Sequence, residues 1–435
     1  MRWRAVVRYA VQEYLEQQAK LELALGLPRR DNNGENASMK KQPKSAAVPL
    51  RSVELFAGAG GLGLGISSAG FKPEAVVEWD RYCCDTIRDN QARKLPLLAD
   101  WPLTEGDVRQ FQFKNLHGTF DLVSGGPPCQ PFSIGGKHRG NTDDRDMWPQ
   151  AVRAVRELTP RAFIFENVKG LTRATFSSYF EYIRLQLTYP EQTLKAKETW
   201  QGHLARLERY HTRGRVRSLH YNLVTRVLNA ADYGVPQKRE RVFFIGFRSD
   251  LGVQWSFPEE THSQEALLWS QLHGDYWERH KVRRRDCVML PKMRHRAERL
   301  RQEPAGLPWC TVRDAISGLP DPENIREAAR ISNHRFQAGA RAYPGHTGSA
   351  LDEPAKTLKA GDHGVPGGEN MLLRPDGSVR YFTVRESARL QTFPDNFLFH
   401  GSWSETMRQL GNAVPVRLAN LVASSVKDHL GAAHG

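Results

Sequence analysis

The apolar run Phe120–Val123 leads into Ser124-Gly-Gly-Pro-Pro-Cys-Gln-Pro-Phe-Ser133. Paired prolines fix the backbone ahead of Cys129, and the glycines leave room for a planar ligand. A thiol held this way at a strand end is a candidate nucleophile. A lone cysteine is more often an inert buried residue; the Pro-Pro and Gln-Pro flanks set this one apart. A second apolar run, Ala162–Phe165, ends in Glu166. A carboxyl partly removed from water has a raised pKa and can donate a proton near neutrality. Gln237-Lys-Arg-Glu-Arg241 opens a further strand. Alternation puts Arg239 and Arg241 on one face, where guanidinium groups can clamp a base or a phosphate.

A cofactor site is legible upstream. Gly58, Gly60 and Gly63 follow the strand Val53–Phe56 with G-x-G-x-x-G spacing. Such a loop brings the backbone close to a ligand and exposes the N–H groups of the next helix. Glu78 ends the next strand, Ala75–Glu78, where an acid can hold both ribose hydroxyls. Asp107 could accept a hydrogen bond from an adenine amino group. These residues alone do not separate a dinucleotide from another adenosine-bearing cofactor.

The elements that must position these groups are strands alternating with helices. Asn222–Leu228 and Arg241–Phe247 complete the strand series. The pattern predicts an α/β fold: a parallel, doubly wound sheet with helices on both faces and the ligand at the carboxyl ends of the strands. The expected organisation is an N-terminal helix (Trp3–Leu27) and flexible linker over 1–48, a catalytic and cofactor-binding domain over 49–249, a smaller irregular domain over 250–380, and a C-terminal segment, 381–435.

Composition narrows the function classes. The chain has 435 residues, 62 Lys+Arg against 48 Asp+Glu, and a net charge of +14, which points to a polyanionic partner. Residues 181–380 carry +8 of this, and the stretch Lys281–Arg301 alone holds 9 basic and 2 acidic side chains. No apolar run reaches the ~20 residues of a membrane span, and the start lacks a signal-peptide core. The 5 cysteines form no C-x-x-C pair, and the 15 histidines lack H-E-x-x-H spacing, so neither a disulfide framework nor a metal site is expected. A cytoplasmic protein follows.

The motifs resemble those of the DNA (cytosine-5)-methyltransferases. Leu55-Phe-Ala-Gly-Ala-Gly-Gly-Leu62 is similar to that family's cofactor loop, Pro127-Pro-Cys-Gln-Pro-Phe-Ser133 to its nucleophile motif, and Glu166-Asn-Val168 to its catalytic-acid motif. Gln237–Gly246 resembles its basic strand; Thr383–Asp395 and Gly411-Asn-Ala-Val-Pro415 resemble its last motifs. They occur in the family's order and span roughly residues 51–425. Glu54 stands where the family more often has Asp, and the interval from Glu166 to Gln237 is long and basic.

The resemblance implies a Rossmann-like methyltransferase domain that binds S-adenosylmethionine through Phe56, Gly58, Gly60, Gly61, Leu62, Glu78, Trp79, Asp107, Val108, Pro127, Asn412 and Ala413. It implies a helix after Asn412 that packs back beside the first strand. Region 250–380 corresponds to the family's variable target-recognition domain, in which Leu351–Ala360 is similar to a moderately recognisable segment. Cys129 would attack carbon 6 of a flipped-out cytosine, Glu166 would act on ring nitrogen 3, and Arg239 would hold the base carbonyl. Gln130, Ser133, Lys137, Arg139 and Arg145 would contact DNA. The expected partners are double-stranded DNA and a cognate restriction endonuclease, with the enzyme acting as a monomer.

Overall fold

The computed structural model describes residues 49–128, 146–214, 218–344, 347–361 and 370–432. The expectations for residues 1–48, and for Cys129, Gln130, Ser133, Lys137, Arg139 and Arg145, fall outside these residues.

Seven strands form the main sheet: β1 (Leu50–Leu55), β2 (Phe71–Glu78), β3 (Leu103–Glu105), β4 (Leu122–Gly125), β5 (Ala162–Val168), β6 (Tyr221–Asn229) and β7 (Glu240–Arg248). Their order across the sheet is β3-β2-β1-β4-β5-β7-β6. β3 carries a single apolar residue, Leu103, in three positions, too short a pattern to read from sequence.

The sheet is covered on both faces. On one side Val53, Leu55, Val123, Phe163 and Phe165 pack against the helix Trp148–Leu158, whose Trp148, Ala151, Val152, Val155 and Leu158 form the buried stripe. On the other side the helix Gly61–Ser68 and the C-terminal helix Val416–Ala432 cover Leu122, Ala162 and Ile164. Each fully buried Val, Leu, Ile or Phe contributes about 1.5–3 kcal/mol, so burial on both faces fixes the register of the central strands. Close approach of the two helices needs Gly65: a Cβ there would lie 2.4 Å from the Ala419 side chain.

The expected all-parallel sheet is corrected at one strand. β7 runs antiparallel to both β5 and β6, while the other pairs are parallel. The reason is chain length. Only residues 230–239 join β6 to β7, and a parallel crossover needs a dozen or more residues. The start of β7 is thereby brought to the carboxyl end of β5, with Val168 opposite Arg241.

Outside this sheet lie a short parallel pair (His262–Ser263 with Leu307–Pro308) and a three-stranded sheet formed by Ser349–Ala350, Met371–Leu373 and Val379–Tyr381. Among the described residues no helix is long and apolar enough to cross a membrane.

Glu54 interrupts the apolar pattern of β1. It is 2% exposed, hydrogen-bonds with the Ser124 hydroxyl on β4, and burial pushes its pKa up to about 8. The unfolded chain ionises near the ordinary value of 4.5. Between those values the unfolded chain has lost the proton that the folded chain keeps. Stability from this site is therefore full below the lower value and lost as pH rises through the upper one. Glu54→Gln is expected to flatten the fall in stability between about pH 5 and about pH 8. Urea unfolding across that range checks it; an unaltered slope would remove Glu54 as the cause.

Candidate active site

The cofactor loop leaves β1 through Phe56, whose φ of 54° lies in the left-handed region, a strained setting for a non-glycine residue. Gly58 and Gly60 also have positive φ, at no steric cost, and a Cβ on Gly58 would meet nothing within 4 Å. The loop is held by Glu78: its Oε2 accepts from the Gly58 N–H at 2.6 Å, and Oε1 accepts from the N–H groups of Trp79 and Asp80 at 2.9 and 2.8 Å. Burial raises the Glu78 pKa, and those N–H groups oppose the rise. No cation pairs with Glu78 among the described residues, so its carboxylate remains an acceptor for hydroxyls.

Trp79 is 71% exposed, unusual for so large an aromatic. It follows Glu78 directly in the chain, and Val108 is buried. Asp107 caps the turn Val108–Gln110, and Arg109 engages its carboxylate, holding its pKa below the ordinary range. An adenine amino group must therefore share this carboxylate with Arg109. An exposed aromatic side chain, an acid without a counter-cation and open space at Gly58 fit an adenosine-bearing cofactor.

The loop after β4 adjoins this site. A Cβ on Gly125 would lie 2.5 Å from the Leu55 carbonyl, so only glycine lets the ends of β1 and β4 approach this closely. An ideal Cβ on Gly126 would lie 3.4 Å from Glu166 Oε2, which places the Glu166 carboxylate over the chain that leads to Cys129. The Asn167 side-chain amide donates to the Pro127 carbonyl at 2.9 Å, and the Met147 N–H donates to the Pro128 carbonyl at 3.3 Å. The loop is pinned on both sides before Cys129. Asn167 had no assigned role in the sequence; a buried amide ending an apolar strand was the available signal.

Glu166 is 6% exposed, and burial raises its pKa against the opposing charges of Arg241 and Arg239. Arg241 Nε lies 2.8 Å from Glu166 Oε1. Arg241 Nη1 donates to the Glu240 carbonyl at 2.8 Å, and Nη2 has no acceptor among the described residues. A carboxyl with a raised pKa beside a guanidinium with spare donors can protonate a ring nitrogen and hold an adjacent carbonyl.

Arg239 is placed otherwise than its motif suggested. It is 0% exposed, and its guanidinium donates to the carbonyls of Leu358 (3.1 Å), Gly411 (2.7 Å) and Ala413 (2.8 Å). Those bonds engage both terminal nitrogens, and the remaining donor, Nε, is buried without a partner among the described residues. Arg239 ties the segment around Leu358 to the turn around Asn412. Gln237, also fully buried, adds to the tie: Oε1 accepts from the Leu358 N–H at 3.0 Å, and Nε2 donates to Gln391 Oε1 at 3.2 Å. Gln391 in turn donates to the carbonyls of Leu410 (2.6 Å) and Ala413 (3.2 Å). Neither glutamine was assigned a role from sequence: the side-chain partners of Gln237 lie more than 100 residues away, and Gln391 donates to carbonyls 19 and 22 residues on.

Lysine keeps the charge of Arg239 but not the planar fork. Arg239→Lys is expected to cost about 2–4 kcal/mol of stability and to weaken cofactor binding. Urea unfolding and a cofactor titration check both, and unchanged cofactor affinity would show that the Asn412 turn holds without it.

Asn412 is exposed at the end of the helix Trp403–Asn412, and Ala413 lies against the cofactor loop, 3.3 Å from an ideal Cβ on Gly61. The C-terminal helix lies mainly on the helix Gly61–Ser68, which follows β1, and shares an apolar core with Leu50 of that strand.

The family model described as C-5 cytosine-specific DNA methylase matches residues 50–189 and 211–428. The unmatched interval falls mostly in the helix Trp200–Arg213, within the long interval after Glu166. The type II methyltransferase M.Eco47II of Escherichia coli is 33% identical over 382 residues, covering 86% of this chain and 78% of that protein. The type II methyltransferase M.PspPI of Psychrobacter sp. (strain TA137) is 33% identical over 399 residues, covering 89% and 82%. In fold, the chain resembles the solved structure of the S. pombe Dnmt2 methyltransferase, with a TM-score of 0.50 and 17% identity over 88% of this chain and 99% of that one. The family match runs through the cofactor loop, the Glu166 strand and the Asn412 turn alike, and by it and these relatives the chain belongs to the C-5 cytosine-specific DNA methylase family, enzymes that methylate cytosine in DNA from S-adenosylmethionine.

Proposed function

We propose that this chain methylates carbon 5 of one cytosine within a specific duplex sequence and serves as the modification half of a type II restriction-modification pair. The observation that carries the chemistry is the reversal of β7, which sets Arg241 against Glu166 above Gly126, beside the cofactor loop. The names of M.Eco47II and M.PspPI support the type II assignment.

The roles assigned to the residues are as follows. Residues 250–380 read the duplex, and the target base is flipped out at a cost of about a few kcal/mol. Cys129, as thiolate, bonds to ring carbon 6. The Glu166 carboxyl protonates ring nitrogen 3, and Arg241 Nη2 holds the base carbonyl, so the electron pair displaced by the thiolate collects at carbon 5. S-adenosylmethionine, when bound, supplies the electrophilic methyl group. Glu78 holds its ribose hydroxyls, Trp79 its adenine ring, and the backbone of Gly58–Leu62 its amino-acid end. Loss of the carbon 5 proton to a base, elimination of the thiolate and return of the nitrogen 3 proton to Glu166 restore the aromatic ring and regenerate Cys129 and Glu166.

Bisulfite sequencing of the genome of a host expressing the chain tests the reading. The expected result is one recurrent sequence in which a single cytosine resists conversion. Conversion at every site, with the protein folded and present, would overturn it.

A further inference from the structure

The net charge of this chain has a specific structural outlet. Leu228, one residue before the end of β6, is level with Arg241 and Val168, so the turn Ala230–Tyr233 stands at the same sheet edge as Glu166. On that turn is anchored a unit formed by residues 261–309. The Asp232 carbonyl accepts from the Thr261 N–H at 3.0 Å, and the Asp232 carboxylate accepts from the Trp309 indole N–H at 2.9 Å. The parallel pair His262–Ser263 and Leu307–Pro308 closes the unit at its base.

Its outer surface is the basic stretch Lys281–Arg301. Both carboxylates of that stretch are already engaged, Asp286 facing Arg285 at 3.9 Å and Glu298 facing Arg294 at 3.0 Å. Arg296 is taken by Glu265 on the neighbouring helix Gln264–Leu272. Lys281, Arg283, Arg284, Lys292, Arg299 and Arg301 are all exposed and pair with no carboxylate among the described residues. Lys292 and Arg299 lie on the outer side of the helix that starts at Pro291 and the turn that ends it, while Met293, Ala297 and Leu300 turn inward. Like charges gathered without counter-charges repel one another, so the cluster is stabilised by an anion with regularly spaced charges. The unit that carries the cluster hangs from the turn after β6, the edge strand of the sheet, at the sheet end that holds Glu166.

We infer that these six cations form a backbone-binding surface for duplex DNA outside the target sequence, holding the flank of the duplex whose target base is at Glu166. The inference rests on the DNA reading above. Phosphate contacts of this kind add affinity and register but read no sequence. They make affinity fall with salt, by about 0.9 in the log–log slope for each phosphate contacted.

Two triple variants test it in the full chain: K281S/R283S/R284S and K292S/R299S/R301S. The side chains are exposed and unpaired, so melting temperature and cofactor affinity are expected to match the parent. Binding of random-sequence duplexes is measured as salt is raised, with one duplex of about one helical turn and one several turns long. The expected result is a slope reduced by about 1–3 in each variant and affinity at low salt lowered about tenfold or more on the long duplex, with little change on the short one. Unchanged slopes in both variants would overturn the inference, as would equal losses on the two lengths, which would place the cations in the recognition cleft. Assaying the parent for 5-methylcytosine separates the two readings: reduced slopes with no methylcytosine would uphold the surface and fail the catalytic assignment.

Discussion

Glu166→Gln is expected to lower the rate of methyl transfer by about 10²–10⁴-fold, with cofactor affinity unchanged. Glutamine is close in shape, and its amide oxygen can still face Arg241 Nε, which lies 2.8 Å from the carboxylate in the parent. What is lost is the proton. Burial raises the Glu166 pKa, while Arg241 and Arg239 hold the rise in check. A group needed in its acid form works below its pKa and fails above it. In the parent, the rate is therefore expected to fall as pH rises through that raised value, and the variant is expected to lack that limb. Single-turnover rates across pH check both statements. A variant with parental rates and the same alkaline limb would remove Glu166 as the proton donor.

Cys129→Ser is expected to abolish methyl transfer altogether while the cofactor still binds. A serine hydroxyl at neutral pH carries almost no alkoxide, whereas a thiol near its ordinary pKa is already a few per cent thiolate and intrinsically more nucleophilic. A duplex with 5-fluorocytosine at the target gives a readout independent of turnover. Fluorine on carbon 5 cannot leave as a proton, so the parent should remain covalently attached to the DNA and the serine variant should not. A stable adduct with the serine variant would exclude Cys129 as the nucleophile. The surroundings favour the cysteine: the chain reaching it passes beneath Glu166 at Gly126 and is fastened at Pro127 by Asn167.

Much of the site was legible because its residues are close in sequence and follow strands. Gly58, Gly60 and Glu78 needed only the run of one strand into a loop and the end of the next; the structure joins them through the Gly58 N–H and Glu78 Oε2. The roles of Arg239 and Arg241 were not separable in this way. Both are arginines, two residues apart, at the start of one strand. One spends its guanidinium on the carbonyls of Leu358, Gly411 and Ala413, and the other faces Glu166 with donors to spare.

By itself the sequence determined the alternation of strands and helices, the family and the order of its motifs, since hydrophobic periodicity and short motifs are local properties of the chain. It also held, in the ten residues between β6 and β7, the length that forbids a parallel crossover. Tertiary structure alone decided which buried polar groups meet: Asn167 with Pro127, Gln237 with Gln391, Glu54 with Ser124. Such pairs join segments up to 154 residues apart in the chain. A buried donor or acceptor must find a partner, and which one it finds depends on how the layers pack.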